Sequence, residues 1–158
     1  MDLYLMQHGL AVSAEEDPDR ALTLSGRLAV EQVSRRAAAC GVRIGRCIHS
    51  GKTRAGQTAH ALAEAVDGWA ESRDGLNPSD PVQPIATWLR QEAEADPSGA
   101  IALVGHLPFL DRLAGVLVVG DQDAHPVRFH NAGLVKLVPD EDGQRYSVEW
   151  ILTPDLAV

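Results

Sequence analysis

Three short segments of this chain carry residue types suited to handling phosphate. Gln7-His8-Gly9 follows one apolar run and Gly105-His106 follows another. Between them, Ser50-Gly51-Lys52-Thr53-Arg54 joins a short apolar run to a helical pattern. An arginine beside a helix N-terminus offers an anion positive potential and N–H donors. An imidazole with one nitrogen free can attack phosphorus and hold the phosphoryl group covalently. In open α/β sheets the ligand crevice lies outside the carboxyl ends of the strands, so segments far apart in sequence can converge there. His8, Arg54 and His106 are therefore candidates for a single phosphate site.

Each also has a plainer reading. A lone histidine after a strand is more often a turn or core residue than a nucleophile, and an arginine on a first helical turn is usually a solvated charge. His49 falls in a strand, at core or rim. His60, His125 and His130 have no partner pattern and read as structural. No H-E-x-x-H or comparable spacing exists, so no metal or other cofactor is expected. Gly51-Lys52-Thr53 resembles the end of a nucleotide-binding P-loop. However, Arg46 stands where the first glycine should be, and Cys47-Ile48-His49 reads as strand rather than flexible turn.

The remaining residues must supply the frame. The 158 residues suit one domain, with 45% hydrophobic but only 4% aromatic content, so the core must be aliphatic. A net charge of −8 argues against nucleic acid or an anionic membrane as the main partner, while leaving room for one local cation cluster. No signal peptide is evident at the N-terminus, and no apolar run reaches membrane-spanning length. Cys40 and Cys47 read as two buried thiols in a reducing cytoplasm.

Strands are expected at Asp2 to Met6, Arg46 to His49 and Ala100 to Val104, with a minor one at Trp69 to Glu71. Helical spacing runs from Leu24 to Cys40, with Gly41 as its C′ residue. A second helix presents Ala55, Ala59, Leu62 and Val66, capped by Thr53. A third starts at Asp80-Pro81 and buries Ile85, Trp88, Leu89 and Ala93; Asp80 is its N-cap. A fourth, from Pro108 to Val119, turns Phe109, Leu113, Ala114 and Leu117 inward. Leu134 to Val138 and Tyr146 to Leu152 flank a polar turn and form a hairpin. The alternation predicts a single α/β domain, with a mainly parallel sheet flanked by helices on both faces and a C-terminal β-hairpin.

Four motifs in this order resemble the histidine phosphatase superfamily, with its phosphoglycerate mutase-like fold, and most closely the small SixA-like phosphohistidine phosphatases. Gln7-His8-Gly9 stands where that family has Arg-His-Gly. Arg20-Ala21-Leu22-Thr23 with Gly26 is similar to its Arg-Pro-Leu-Thr stretch and following glycine. Ser50 to Ala59 is similar to its S-x-x-x-R-A-x-Q-T-A signature, and Gly105-His106 corresponds to its second catalytic histidine.

The resemblance implies a metal-independent phosphatase. His8 would be the nucleophile, Arg54 the ligand of the phosphoryl oxygens and His106 a further donor to them. Gln7, Gly9 and Ser50 would line the substrate. It implies a phosphohistidine-bearing protein or a small phosphorylated molecule as partner, inorganic phosphate as product and a cytoplasmic location.

Gln7 is the departure. It keeps a donor NH₂ but lacks the family arginine's charge and fork. Losing such a donor typically costs on the order of 10²–10³ in rate, unless another cation such as Lys52 compensates. The expected activity is phosphohistidine hydrolysis. The alternatives are a catalytically weakened phosphate- or phosphoprotein-binding module and a broad phosphomonoesterase, for which Asp80 is the nearest general-acid candidate.

Overall fold

The computed structural model describes residues 1–158. Six strands form one sheet: β1 (Asp2–Gln7), β2 (Arg46–His49), β3 (Trp69–Ser72), β4 (Ala100–Gly105), β5 (Leu134–Pro139) and β6 (Tyr146–Leu152). Their order is β3-β2-β4-β1-β5-β6. The first four are parallel, and the hairpin β5–β6 adds two antiparallel strands at the β1 edge. Four helices cover the sheet: α1 (Leu24–Ala39), α2 (Thr53–Ala65), α3 (Gln83–Ala95) and α4 (Phe109–Val118). The arrangement is the mainly parallel α/β architecture expected, hairpin included.

Alternation along the strands divides the core into two layers. Leu3 and Leu5 of β1 join Ile101 and Leu103 of β4 against α3 and α4. Tyr4 and Met6 join Ala102 and Val104 against α1 and α2. Continuous apolar runs in β1 and β4 are what burial on both faces requires. No helix is long and apolar enough to cross a membrane.

Register places the candidate site. Met6 pairs with Val104, and Val104 pairs with His49, so the carboxyl ends of β1, β4 and β2 share one row. The next residues of all three strands leave the sheet together at this end.

Three local expectations need correction. Cys40 is exposed, and only Cys47 is buried. Cys40 is the C-cap of α1, where the chain unwinds through Gly41 at φ +86°. The N–H of Val42 then donates to Ala37 and that of Gly41 to Ala38, a Schellman closure that turns Val42 back onto the core in place of Cys40. Thr53 is not a cap but the first residue of α2; Lys52 precedes it and makes no side-chain cap bond.

Helix α3 begins at Gln83 rather than at Asp80-Pro81, with Pro84 in its first turn. Asp80 is held upstream, where its carboxylate accepts the N–H of Asn77 at 2.9 Å and its own N–H donates to the Asn77 carbonyl at 3.1 Å. Ile85, Trp88 and Leu89 of α3 and Phe109, Leu113, Ala114 and Leu117 of α4 all lie inside as expected, while Ala93 is only partly buried at the margin of α3.

Gly26 governs how closely α1 approaches the segment after His8. A Cβ there would stand 2.1 Å from the carbonyl oxygen of Leu10. That carbonyl also accepts the N–H of Thr23, the α1 N-cap, so the backbone has no slack. Gly26→Ala should lower stability by about 2–3 kcal/mol through overpacking against backbone. A urea midpoint equal to wild type would show that the α1–Leu10 junction yields freely.

Candidate active site

The strand ends bring His8, Arg54, His106 and Ser50 into one cluster. The His8 and His106 rings lie 5.1 Å apart between centroids, tilted at 53°. Nδ1 of His8 bonds the carbonyl oxygen of Gly9 at 2.7 Å. The Arg54 Nε donates to His8 Nε2 at 3.3 Å. A guanidinium can only donate, so Nε2 is the acceptor and Nδ1 carries the proton. The lone pair of His8 Nε2 therefore faces the arginine.

Ser50 and His106 form the second pair. The serine Oγ lies 2.6 Å from His106 Nε2, while His106 Nδ1 is buried without a partner. Ser50 Oγ also accepts the N–H of Lys52 at 3.4 Å. This serine thus holds both the ring of His106 and the turn leading into α2.

Charge and burial set the protonation states. Burial lowers the pKa of His8, aided by Arg54 and Arg20 and opposed by the Gly9 carbonyl. Burial, then the neighbouring His8, Arg54, Lys52 and Arg20, push His106 down to about 3. Both rings are neutral near pH 7 in a frame of cations. Burial and Arg20 also lower the pKa of Arg54.

Arg20 is a further residue that bears on the cluster. It sits in the left-handed region at φ +51°, with its Nε donating to the Val12 carbonyl at 3.1 Å, and its charge reaches His8, Arg54 and His106. Its signal was its position at the head of the Arg20-Ala21-Leu22-Thr23 stretch.

Other expected residues have different parts. The backbone N–H of Gly9 donates to Thr58 Oγ1 at 3.1 Å, and a Cβ on Gly9 would stand 2.8 Å from Val30. Gly9 is a packing point whose N–H is already used. Gln7 is half-buried at the end of β1, and its side-chain amide makes no hydrogen bond within the protein. Asp80 spends a carboxylate oxygen on Asn77.

The second half of the Ser50-to-Ala59 motif is scaffold. Gln57 Oε1 accepts the N–H of Leu22 at 2.8 Å, and the Thr58 hydroxyl donates to the Arg54 carbonyl at 2.8 Å. Asn131, from the loop before β5, donates to the His8 carbonyl at 2.9 Å. His49 is buried and its Nδ1 accepts the Gly51 N–H at 3.1 Å, while His60 lies exposed beside it. His125 pairs with Asp111 on the surface. His106 is buried, while His8, Ser50 and Arg54 are half-buried and keep contact with solvent.

No family model matches the chain. An uncharacterized protein of Picosynechococcus sp. is 33% identical over 141 residues, covering 87% of this chain and 84% of that protein. Among solved structures, the protein histidine phosphatase SixA complexed with tungstate superposes with a TM-score of 0.85 at 24% identity, covering 98% of each chain. A protein assigned as phosphohistidine phosphatase SixA from Agrobacterium tumefaciens gives 0.75 at 25% identity, covering 97% of each chain.

The neutral histidines should make the fold acid-sensitive. His8, His49 and His106 all have folded pKa values below the ordinary 6.5. The unfolded chain therefore binds more protons below about pH 6.5, and stability present above that value is lost as pH falls toward the folded values. The urea midpoint should drop steadily from about pH 7 to about pH 5, and His106→Asn should show a shallower slope. Equal slopes for the two proteins would mean His106 titrates alike in both states.

Proposed function

Because this chain belongs to one family with the uncharacterized Picosynechococcus protein and has the histidine phosphatase fold, we propose that it is a phosphatase acting through a phospho-His8 intermediate, with phosphohistidine on a protein as its substrate. The observation that carries this reading is the double anchoring of His8: Nδ1 is fixed on the Gly9 carbonyl and Nε2 is presented, unprotonated, to Arg54. A nucleophile for phosphoryl transfer needs that tautomer and that neighbour.

In the proposed reaction, Nε2 of His8 attacks phosphorus and the phosphorus–nitrogen bond of the substrate breaks. The departing imidazole takes its proton from solvent. Water then attacks the phosphorus of phospho-His8, which releases inorganic phosphate and returns the neutral ring. Arg54 shifts its hydrogen bond from Nε2 to a phosphoryl oxygen once the lone pair is used. The arriving dianion raises the proton affinity of His106, which then donates to it in place of repelling it.

Two features favour phosphohistidine over a phosphate ester. An ester leaves as an alkoxide and needs a positioned acid, and Asp80, the nearest candidate in sequence, is committed to the Asn77 N–H. The weaker phosphorus–nitrogen bond leaves without one. His8 and Arg54 are also half-buried, which leaves them within reach of a protein-borne phosphoryl group. Turnover of a phosphohistidine protein should exceed that of p-nitrophenyl phosphate, with acid-labile label on His8 and none on His8→Ala. Label on Ser50, or no turnover of either substrate, would overturn the assignment.

Gln7 favours a second reading, a phosphate-binding module with weak catalysis. Its unpaired amide can donate to an oxyanion but brings no charge, and the local cations are Arg54, Arg20 and Lys52. Gln7→Arg should raise the rate by about ten- to a thousand-fold, most visibly on esters, if the chain is an enzyme limited by that charge. A fall in rate would mean that Arg20 and Lys52 already occupy the electrostatic role. No change on either substrate would place position 7 outside the phosphoryl contact.

A further inference from the structure

One cavity, of about 590 Å³, lies away from the histidine cluster, toward the other end of β1. Its floor is one row of the sheet. Tyr4 of β1 pairs with Lys136 of β5, and Lys136 pairs with Trp150 of β6. The hairpin carries the sheet beyond α1, so this row is roofed only at its edges, by the end of α1 and by the short turn Pro154–Leu156.

The Tyr4 ring is buried, but its hydroxyl, which has no hydrogen-bond partner in the protein, keeps solvent contact at the cavity surface. Its ring stands 6.0 Å from that of half-buried Trp150, whose indole N–H is also unpartnered. Arg36, on the last turn of α1, lines the same cavity and pairs with no carboxylate. Lys136, by contrast, is already engaged by Asp2 at 3.3 Å and Glu149 at 2.7 Å.

The unused polar groups can thus all donate, the phenol being able to accept as well: a phenol, an indole and a guanidinium, set beside the face of Trp150. Their complement is a flat apolar body carrying an anionic acceptor. We propose that the Tyr4–Lys136–Trp150 cavity is a second ligand site, for a small planar aromatic carboxylate, separate from the phosphate site and independent of the phosphatase reading. The ligand would stack on Trp150, accept from the Trp150 N–H and the Tyr4 O–H, and place its charge against Arg36.

Titration of the intact protein with 1-naphthoate, followed by the indole N–H resonances of its three tryptophans, tests this. The Trp150 resonance should shift saturably, ahead of those of Trp69 and Trp88, and saturating vanadate should not reverse the shift. Loss of one such hydrogen bond or charge contact should weaken binding about tenfold in Tyr4→Phe and in Arg36→Glu, and the neutral 1-naphthalenemethanol should bind about tenfold less well. Arg36 is exposed, so Arg36→Glu leaves the fold intact even if Tyr4→Phe does not. Undiminished binding to Arg36→Glu, equal binding of the alcohol, displacement by vanadate or no saturable shift at Trp150 would each overturn the proposal.

Discussion

The Thr58 hydroxyl is the joint on which the histidine–arginine cluster depends. It accepts the N–H of Gly9 and donates to the carbonyl of Arg54, and it is wholly buried. One side chain thereby locks the turn after β1 to the first turn of α2. His8 and Arg54 stand on either side of that lock, and their 3.3 Å contact is its consequence. A donor and an acceptor that both lack water make the geometry stiff, since breaking either bond leaves a buried polar group unpaired. Gln57 repeats the arrangement one residue earlier by holding Leu22, and Asn131 holds the far side of His8. The polar residues around the cluster act largely on backbone, and this leaves Arg54, His8 and the Gln7 amide directed at the opening.

Electrostatics complete what the hydrogen bonds begin. Three cations, Arg20, Lys52 and Arg54, bear on the histidines in a protein of net charge −8. Burial and these cations act in the same direction, and both imidazoles are kept neutral. A neutral ring beside fixed positive charge keeps its lone pair for a nucleophilic role, and an arriving anion finds positive potential without first displacing protons. With no arginine at position 7, Arg20 gains importance. Its charge bears on both histidines and on Arg54 from a loop.

The same sheet presents two different surfaces at its two ends. At the carboxyl ends of β1, β2 and β4, the strands feed loops where Ser50, Thr58, Gln57 and Asn131 tie the segments to one another. Toward the amino end of β1, the added hairpin runs past the cover of α1 and leaves Tyr4 and Trp150 with unpaired donors. The contrast follows from topology. Parallel strands require crossover helices that cover them, whereas a hairpin appended to the edge brings no helix of its own.

Much of the fold was legible in the sequence because its signals are local. Continuous apolar runs marked the buried strands, helical spacing marked the inward faces of α3 and α4, and a polar turn with glycine marked the hairpin. What misread were the ends: Cys40, Thr53 and Asp80 each stand at a cap or turn, where one hydrogen bond decides the direction of the chain. Asp80 bonded backward to Asn77 instead of forward into α3, and no pattern of residue types distinguishes the two.

For the site, residue types and order named His8, Arg54, His106 and Ser50, since such chemistry needs those side chains. Their convergence, and the conversion of Gly9, Gln57 and Thr58 into scaffold, came only with the packed sheet. The charge of Arg20 and the neutrality of His106 likewise depend on distances and burial between segments far apart in the chain. A sequence specifies which groups are present and their local conformational preferences. Which donor meets which acceptor, and in what dielectric, is decided when the layers close.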